Sequence, residues 1–256
     1  MDKEILRQIM LRDVKSKLPL MEIVADIKKQ ENISNKALLA MLLEAINLNY
    51  LDIAKMLKQL NPNIDVDNLA EKLYEALKDE GSYITALEFG TILLNEDIFP
   101  NTTKDKLEKI LLKLNYKQED INLAIKHLYA IYITLSAREK WKDTGIILAE
   151  NEVATVKYVS GLWTANPALG RCDARGISSC KAKIGYTLPG ENEGALIGKI
   201  VVEEIKPFLI GKEREIVNNY QRKLYLCIND DLDKRYGAGF ADNAGELELE
   251  IKISFR

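Results

Sequence analysis

The feature that most constrains this chain is a change in its sequence pattern near residue 140. Two of its 14 glycines, Gly81 and Gly90, precede that point, and the others lie between Gly145 and Gly245. Before residue 140, apolar residues recur at helical spacing, as in 38–46, 69–77 and 107–114. After it, they alternate with polar residues, most clearly in 246–255. Because these spacings are typical of amphipathic helices and of half-buried strands, the sequence predicts an all-α domain followed by an all-β domain.

The first half, residues 1–140, contains about eight short apolar segments at helical spacing, separated by prolines and polar residues. Short connections between such segments predict an antiparallel helical bundle. Ser34 and Asp67 are predicted N-caps, and Thr103 is expected to open another helix. Segments 35–60 and 104–129 resemble each other loosely, which leaves an internal duplication open. We expect this half to be an interaction, oligomerisation or targeting module.

The second half contains strand patterns in 195–202, 223–228 and 246–255. Short strands separated by glycine-containing turns predict an antiparallel β-sandwich, here of a jelly-roll-like kind. Trp163 follows a strand glycine by two residues, and we interpret it as a core residue rather than a sugar-stacking platform. The predicted domains are therefore 1–140 and 147–256.

Composition and charge argue against nucleic-acid and membrane-surface binding, although they leave a local basic patch open. The 256 residues are 47% hydrophobic and carry a formal net charge of −3, so the chain has no general attraction to nucleic acid or anionic lipid. It contains no 18-residue apolar run, and its charged N-terminus is unlike a signal peptide. We expect a cytoplasmic protein without membrane insertion, released, if at all, by a non-classical route. Three cysteines without a CxxC pair predict reduced thiols, with a Cys172–Cys180 bridge as the alternative.

Motifs that would indicate an enzyme are missing from the sequence. The chain has a single histidine, His127, and it has no nucleophile elbow, HExxH, P-loop or GxGxxG pattern. We therefore expect a binding protein rather than an enzyme. A hydrolase that uses paired carboxylates is the remaining enzymatic alternative.

The densest polar segment lies between the last two predicted strands. Residues 229–245 combine four carboxylates with two carboxamides, contributed by Asp230, Asp231, Asp233, Asp242, Asn229 and Asn243. Ca²⁺ binds six to eight oxygen ligands, and a glycine-containing loop of this composition can supply them. A polar hairpin loop, in which Asn, Asp and Gly only form turns, has the same composition. Composition favours the two interpretations equally.

Several motifs in residues 147–256 follow the order found in one lectin family. They are Gly161-Leu162-Trp163 with Asn166-Pro167, Cys-Asp-Ala-Arg-Gly at 172–176, Gly194 to Ile200, and Asn229-Asp230 followed by Asp242-Asn243-Ala244-Gly245. On these motifs the segment resembles the calcium-dependent, galactose-binding bacterial lectins of the LecA (PA-IL-like) family. The resemblance does not extend to the helical half.

The resemblance implies a metal site of one Ca²⁺. Its protein ligands would be the side chains of Asp230, Asp242 and Asn243 and the backbone carbonyls of Asn166 and of Gly239 or Phe240. Asp242 stands where the family has an asparagine, and the added negative charge favours a cation. The loop from 230 to 242 is also longer than usual, with Asp231 and Asp233 inside it.

The resemblance also implies the ligand and its contacts. Two adjacent sugar hydroxyls would bind the metal, helped by hydrogen bonds from Asp230 and Asn243. Cys172 and Arg175 stand where the family has a sugar-contacting His and Gln, so a related hexose, a larger glycan or no sugar at all is as compatible as galactose. Multivalent use of such weak sites predicts a homo-oligomer. The alternative is an adaptor whose helical half recruits a partner protein and whose lectin-like half senses a non-galactose ligand.

Overall fold

A computed structural model describes residues 49–79, 83–200, 206–217 and 221–256 of the protein. The predicted helices between residues 5 and 46, the predicted cap Ser34 and most of the 35–48 part of the possible duplication lie outside these ranges. The chain divides into two compact units, and the second begins at Tyr129. Within the described ranges, no helix is long and apolar enough to cross a membrane.

The described part of the first unit is helical, as predicted. It contains α1 (Tyr50–Leu60), α2 (Val66–Asp79), α3 (Ala86–Leu93), α4 (Lys104–Lys113) and α5 (Gln118–Leu128). Thr103 caps α4 by accepting a hydrogen bond from the Lys106 backbone N–H. The predicted cap Asp67 is wrong by two residues, because the Asp65 side chain accepts from the Asn68 N–H at 2.8 Å. Asp67 instead lies in the first turn of α2 and pairs with Lys106.

The helices bury one apolar face each, as their spacing predicts. The fully buried side chains include Ile53, Leu57, Leu69, Leu73, Phe89, Leu107, Leu111 and Ile121. Tyr74, Phe89 and Tyr116 meet in this core with ring centroids 5.7 to 6.2 Å apart. Burial of such faces is the main source of helix stability in a protein. A bundle arrangement of the whole helical half stays a prediction.

The second unit is built from antiparallel strands in two sheets. The strands are β1 (Ile131–Ser136), β2 (Lys142–Leu148), β3 (Glu152–Thr164), β4 (Arg175–Lys181), β5 (Asn192–Ile200), β6 (Phe208–Leu209), β7 (Glu213–Val217), β8 (Arg222–Ile228) and β9 (Ala244–Phe255). One sheet has the order β1-β9-β3-β7, and the other has β2-β8-β5-β4 with β6 paired to β5. Both sheets contribute to one hydrophobic core. The β-sandwich expectation therefore agrees with the structure, while a jelly-roll-like topology stays a prediction.

The helical half ends earlier than the predicted boundary at residue 140. β1 follows α5 almost directly, and β1 and β2 both belong to the second unit. Ile131, Ile133 and Leu135 of β1 pair with β9 on the side that faces the core. This short alternation has no glycine or proline before it, so the sequence pattern does not separate it from the preceding helix.

The predicted alternation of the last strand is confirmed. Leu247, Leu249, Ile251 and Ile253 of β9 are buried, and the residues between them lie on the opposite face. The predicted core position of Trp163 is also confirmed, since its side chain is fully buried and its Nε1 donates to the Gly194 carbonyl at 2.7 Å. β9 and β3 together form the longest strand pair of the described chain.

Two glycines allow β3 and β9 to approach closely beside the polar loop. Gly161 and Gly245 have positive φ angles of 96° and 89°. A Cβ atom at Gly245 would lie 2.2 Å from the Leu162 carbonyl oxygen, and one at Gly161 would lie 2.4 Å from the Glu246 carbonyl oxygen. Only glycine adopts this backbone and tolerates this distance. The pair fixes the start of β9, and therefore the position of Asn243 just before it.

Candidate functional site

Four polar side chains of the β8–β9 loop are buried, which is unusual for acidic and amide groups. Asn229, Asp230, Asp231 and Asn243 are each at most 3% exposed. A buried polar group destabilises the folded state unless it is hydrogen-bonded, paired with a charge or bound to a metal. The partners of each group therefore show which of them shape the loop and which are left for a ligand.

Asn229 and Asp231 use their side chains to shape the loops around the site. Asn229 donates to the carbonyls of Leu188 and Asn192 at 2.9 and 3.1 Å, and its Oδ1 accepts from the Leu188 N–H at 2.8 Å. Asp231 accepts from the backbone N–H groups of Asp233 and Tyr236 at 3.2 and 2.6 Å. Both side chains are therefore structural in this arrangement.

Asp230 and Asn243 each have one buried oxygen without a hydrogen-bond partner among the described residues. Asp230 Oδ1 accepts from the Asp231 N–H at 2.6 Å, but Oδ2 has no such contact. Asn243 Nδ2 donates to the Ala137 carbonyl at 3.0 Å, and its Oδ1 is likewise without one. Asn192 Oδ1 is the third buried oxygen without a partner among the described residues. Most buried polar atoms in proteins do have a partner, so these exceptions call for an explanation such as an ion.

The electrostatics around Asp230 are unfavourable for an unpaired carboxylate. Burial raises the pKa of Asp230, although the Asp231 N–H and the nearby Asn243 side chain act in the opposite direction. The negative charges of Glu193 and Asp242 raise this pKa further. Glu193 is itself only 5% exposed. A divalent cation beside Asp230 would offset the repulsion among these carboxylates, so the residues present fit a hard cation with oxygen ligands.

The other predicted metal ligands lie near the end of β3 and the start of β9, as Asn243 does. Asp242 is exposed and ends a short 3₁₀ helix at Gly239–Ala241, while Gly239 is buried with a positive φ of 57°. Thr164 pairs with Ala244, so Asn166 follows β3 close to the place where Asn243 precedes β9. The Asn166 carbonyl accepts from the Leu169 N–H at 2.9 Å and keeps a second lone pair.

No three His, Cys, Asp or Glu side chains converge as a metal-binding group anywhere in the described ranges. Two carboxylates, one carboxamide and two backbone carbonyls make up the predicted set, so most of it consists of oxygens other than acidic side chains. Such mixed oxygen sets are ordinary for Ca²⁺ and unsuitable for zinc. Calcium binding at this loop stays a prediction.

Cys172 and Arg175, the predicted sugar contacts, lie in different surroundings. Cys172 is 9% exposed, pairs through its backbone with Trp163 and packs against the core. Burial, with the charges of Asp173 and Glu193, raises the pKa of this thiol to about 11. Arg175 is exposed, and its guanidinium binds Asp173 at 2.9 and 3.2 Å.

The segment that contacts the polar loop is one that the sequence analysis did not single out, residues 183–188. Thr187 donates to the Asp230 carbonyl from its N–H at 3.0 Å and from its hydroxyl at 2.8 Å. The Tyr236 hydroxyl donates to the Ile184 carbonyl at 2.6 Å. The rings of Tyr186 and Tyr236 lie with centroids 5.9 Å apart. An aromatic residue in a Gly- and Pro-containing loop just before β5 is the sequence signal that could have indicated this contact.

Comparison with solved structures finds a distant likeness to a lectin domain. The chain is similar to a solved lectin domain. This is the N-terminal domain of EclA, described as a PllA-like lectin, at 20% identity and a TM-score of 0.36, covering 48% of this chain and 95% of that chain. No protein-family model matches the chain, and no curated protein matches it. A likeness this distant assigns neither a ligand nor a site residue.

Proposed function

We propose that the β unit is a calcium-dependent carbohydrate-binding domain that takes galactose or a related glycan. The observation that carries the proposal is that two of the three buried oxygens without partners among the described residues, Asp230 Oδ2 and Asn243 Oδ1, belong to the predicted ligand set. A buried acceptor left unsatisfied costs about 1–3 kcal/mol, and more for a charged group. A cation bound between these oxygens offsets that cost. The motifs of residues 147–256 that resemble the LecA-like lectins are the second support.

The proposed ligand set joins three segments of the folded unit. Asp230 follows β8, Asn243 precedes β9 with Asp242 beside it, and Asn166 follows β3. The carbonyl of Gly239, or of Phe240, completes the protein ligands. When bound, Ca²⁺ would offer coordination positions that two adjacent sugar hydroxyls occupy in place of water. Because the ligands come from three separate segments, the site exists only in the folded unit, and binding stabilises that fold.

The protein groups in this proposal also orient the sugar. Asp230 and Asn243 accept from and donate to the same hydroxyls that the metal binds. Arg175 presents an exposed guanidinium that can donate to a further hydroxyl, whereas Cys172, with 9% exposure, contributes through packing. We also propose that the helical half presents several such sites together, because multivalency strengthens weak sugar binding. A partner protein for that half, the absence of catalysis and a cytoplasmic location stay predictions.

The metal proposal is tested by thermal unfolding in excess Ca²⁺ and in EGTA. Wild type is expected to gain stability with Ca²⁺, by about 2.7 kcal/mol at a hundredfold excess over the Kd. Asp230→Asn should lose most of that gain. Asp233→Asn is the matched control, because Asp233 lies in the same loop but is exposed and paired with Arg235. Equal unfolding temperatures of wild type in Ca²⁺ and EGTA would contradict the metal site.

The carbohydrate proposal is tested separately on the same protein. We expect the full chain to bind a galactose-substituted resin in Ca²⁺ and to elute with EGTA or free galactose. Asp233→Asn should behave as wild type, and Asn243→Ala should not bind. A chain that gains stability with Ca²⁺ but binds neither the resin nor a broad glycan array would refute carbohydrate recognition and leave the metal site standing.

A further inference from the structure

The long β8–β9 loop, which carries most of the proposed metal ligands, also presents an exposed aromatic ring. Tyr236 is 51% exposed, and it lies in the part of the loop that is longer than in the family the sequence resembles. Ile184, from the neighbouring segment 183–188, is 84% exposed. Neither residue belongs to the ligand set proposed above. Contiguous exposed apolar patches rimmed by polar residues can mark ligand-binding sites.

One backbone contact and two side-chain contacts position Tyr236. Its backbone N–H donates to Asp231 Oδ2 at 2.6 Å, and its hydroxyl donates to the Ile184 carbonyl at 2.6 Å. The Tyr186 ring lies against it with an interplanar angle of 30°. An aromatic side chain fixed in this way binds a ligand with little loss of conformational entropy.

Hydrogen bonds and chain neighbours connect the Tyr236 ring to the candidate metal ligand Asp230. Asp231, which fixes Tyr236, follows Asp230 in the chain, and Thr187, next to Tyr186, donates two hydrogen bonds to the Asp230 carbonyl. The Lys183 ammonium lies over the Tyr236 ring, 5.2 Å from the ring centroid, on a flexible side chain that can also donate hydrogen bonds. The surface therefore combines a rigid aromatic ring, an aliphatic side chain and an ammonium group. These groups match a pyranose ring, which has an apolar C–H face and hydroxyls at its edge.

We propose that Tyr236, Ile184 and Lys183 form a second sugar subsite, so that the preferred ligand is a glycan of at least two residues rather than a free monosaccharide. This inference rests on the proposed function, because the terminal sugar would be held at the metal. The second sugar ring stacks on Tyr236 and Ile184, and Lys183 donates to one of its hydroxyls. Stacking on one aromatic ring is expected to strengthen binding about three- to tenfold.

The test compares galactose with the disaccharides lactose and melibiose by calorimetric titration of the full chain in Ca²⁺. At least one disaccharide should bind wild type about three- to tenfold more tightly than galactose. Tyr236→Ala should reduce this ratio to about one. Tyr236→Phe, which keeps the ring, should retain most of it. Tyr132→Ala is the control, because Tyr132 is also an exposed tyrosine but lies on strand β1, outside the β8–β9 loop.

The outcomes separate this inference from the proposed function. If galactose binds but neither disaccharide binds more tightly, or if Tyr236→Ala keeps the wild-type ratio, the second subsite is refuted and the proposed function stands. Equal losses in Tyr236→Phe and Tyr236→Ala would also refute it, because the hydroxyl and not the ring would then matter. If Ca²⁺ stabilises the chain and none of the three sugars binds, the second subsite is refuted, and carbohydrate recognition is refuted as well if a broad glycan array also shows no binding. The Ca²⁺-induced shift of the unfolding temperature in Tyr236→Ala verifies that the variant keeps its metal site.

Discussion

The three cysteines have different surroundings, although all three are free, as expected from the sequence. Cys227 is fully buried on β8, and Cys172 is 9% exposed in the same core. Cys180 on β4 is only half-buried, and its Sγ lies 3.1 Å from Glu193 Oε2. The hydrogen bond to Glu193 is the main reason that the pKa of Cys180 is raised. Exposure and thiolate content together set the reactivity of each thiol.

These surroundings predict one accessible thiol in the folded protein. Iodoacetamide at pH 8 should modify Cys180 first, and it should modify Cys172 and Cys227 only after unfolding. Glu193→Gln should speed the modification of Cys180, because removing the carboxylate lowers the thiol pKa and increases the thiolate. Glu191→Gln, two residues away, is the control. Peptide mass spectrometry measures each rate, and fast native labelling of Cys227 would contradict the burial of β8.

At the scale of secondary structure, the approach of β3 and β9 depends on Gly245. Gly245→Ala should destabilise the β unit by several kcal/mol, because its Cβ would lie 2.2 Å from the Leu162 carbonyl oxygen. Gly190→Ala is the matched control. It has a similar φ of 88° with open space around it, so only the backbone cost of about 1–2 kcal/mol applies. Urea unfolding measures both, and equal losses would show that the close strand contact is not decisive.

Sequence patterns predicted the strands that alternate over many residues and missed those defined by their neighbours. β8 and β9 follow from period-two alternation, and β5 from its apolar run. β1 is only as long as one or two helical turns, and it follows α5 almost directly. Its conformation is therefore decided by its pairing with β9, which lies more than 100 residues later in the chain. Local sequence carries no information about a partner at that distance.

The candidate site was predictable only in part, for a similar reason. The composition of 229–245 indicated the polar loop, and the structure buries Asp230 and Asn243 within it. The segment 183–188 contacts this loop through Thr187 and Tyr236, whose partners are 43 and 52 residues away. A search for charged or amide residues passes over such a segment, because its polar contacts to the loop are made mainly by backbone N–H and carbonyl groups. The surroundings of Cys172 and Arg175 likewise depend on strand pairing rather than on motif spacing.

At the scale of the whole molecule, groups with raised pKa values occur in both units. Burial raises the pKa of Tyr116 in the helical unit and of Tyr186 in the β unit. Burial also raises the pKa of Cys172 to about 11 and that of Cys227 to about 12, from a usual value near 9. In each case the folded state holds its proton more tightly than the unfolded state. Both units are therefore expected to lose stability in alkali.

The raised pKa of Cys227 makes the β unit less stable as the pH rises. Its contribution to stability is fully present below pH 9, where the thiol is protonated in both states, and it is lost as the pH rises toward 12. The slope for one such thiol approaches about 1.4 kcal/mol per pH unit. Cys227→Ala should lower stability at pH 7.5, because it leaves a small cavity, but it should flatten the decline above pH 9.

Tryptophan fluorescence provides the measurement, because both tryptophans, Trp141 and Trp163, lie in the β unit. Urea unfolding at pH 7.5, 9.5 and 10.5 would give the free energy of unfolding of that unit at each pH. Cys180→Ala is the control, since Cys180 is far less buried than Cys227 and should leave more of the decline in place. Identical declines in wild type and Cys227→Ala would show that the buried thiol of β8 does not contribute, and that the tyrosines and Cys172 account for the alkaline loss.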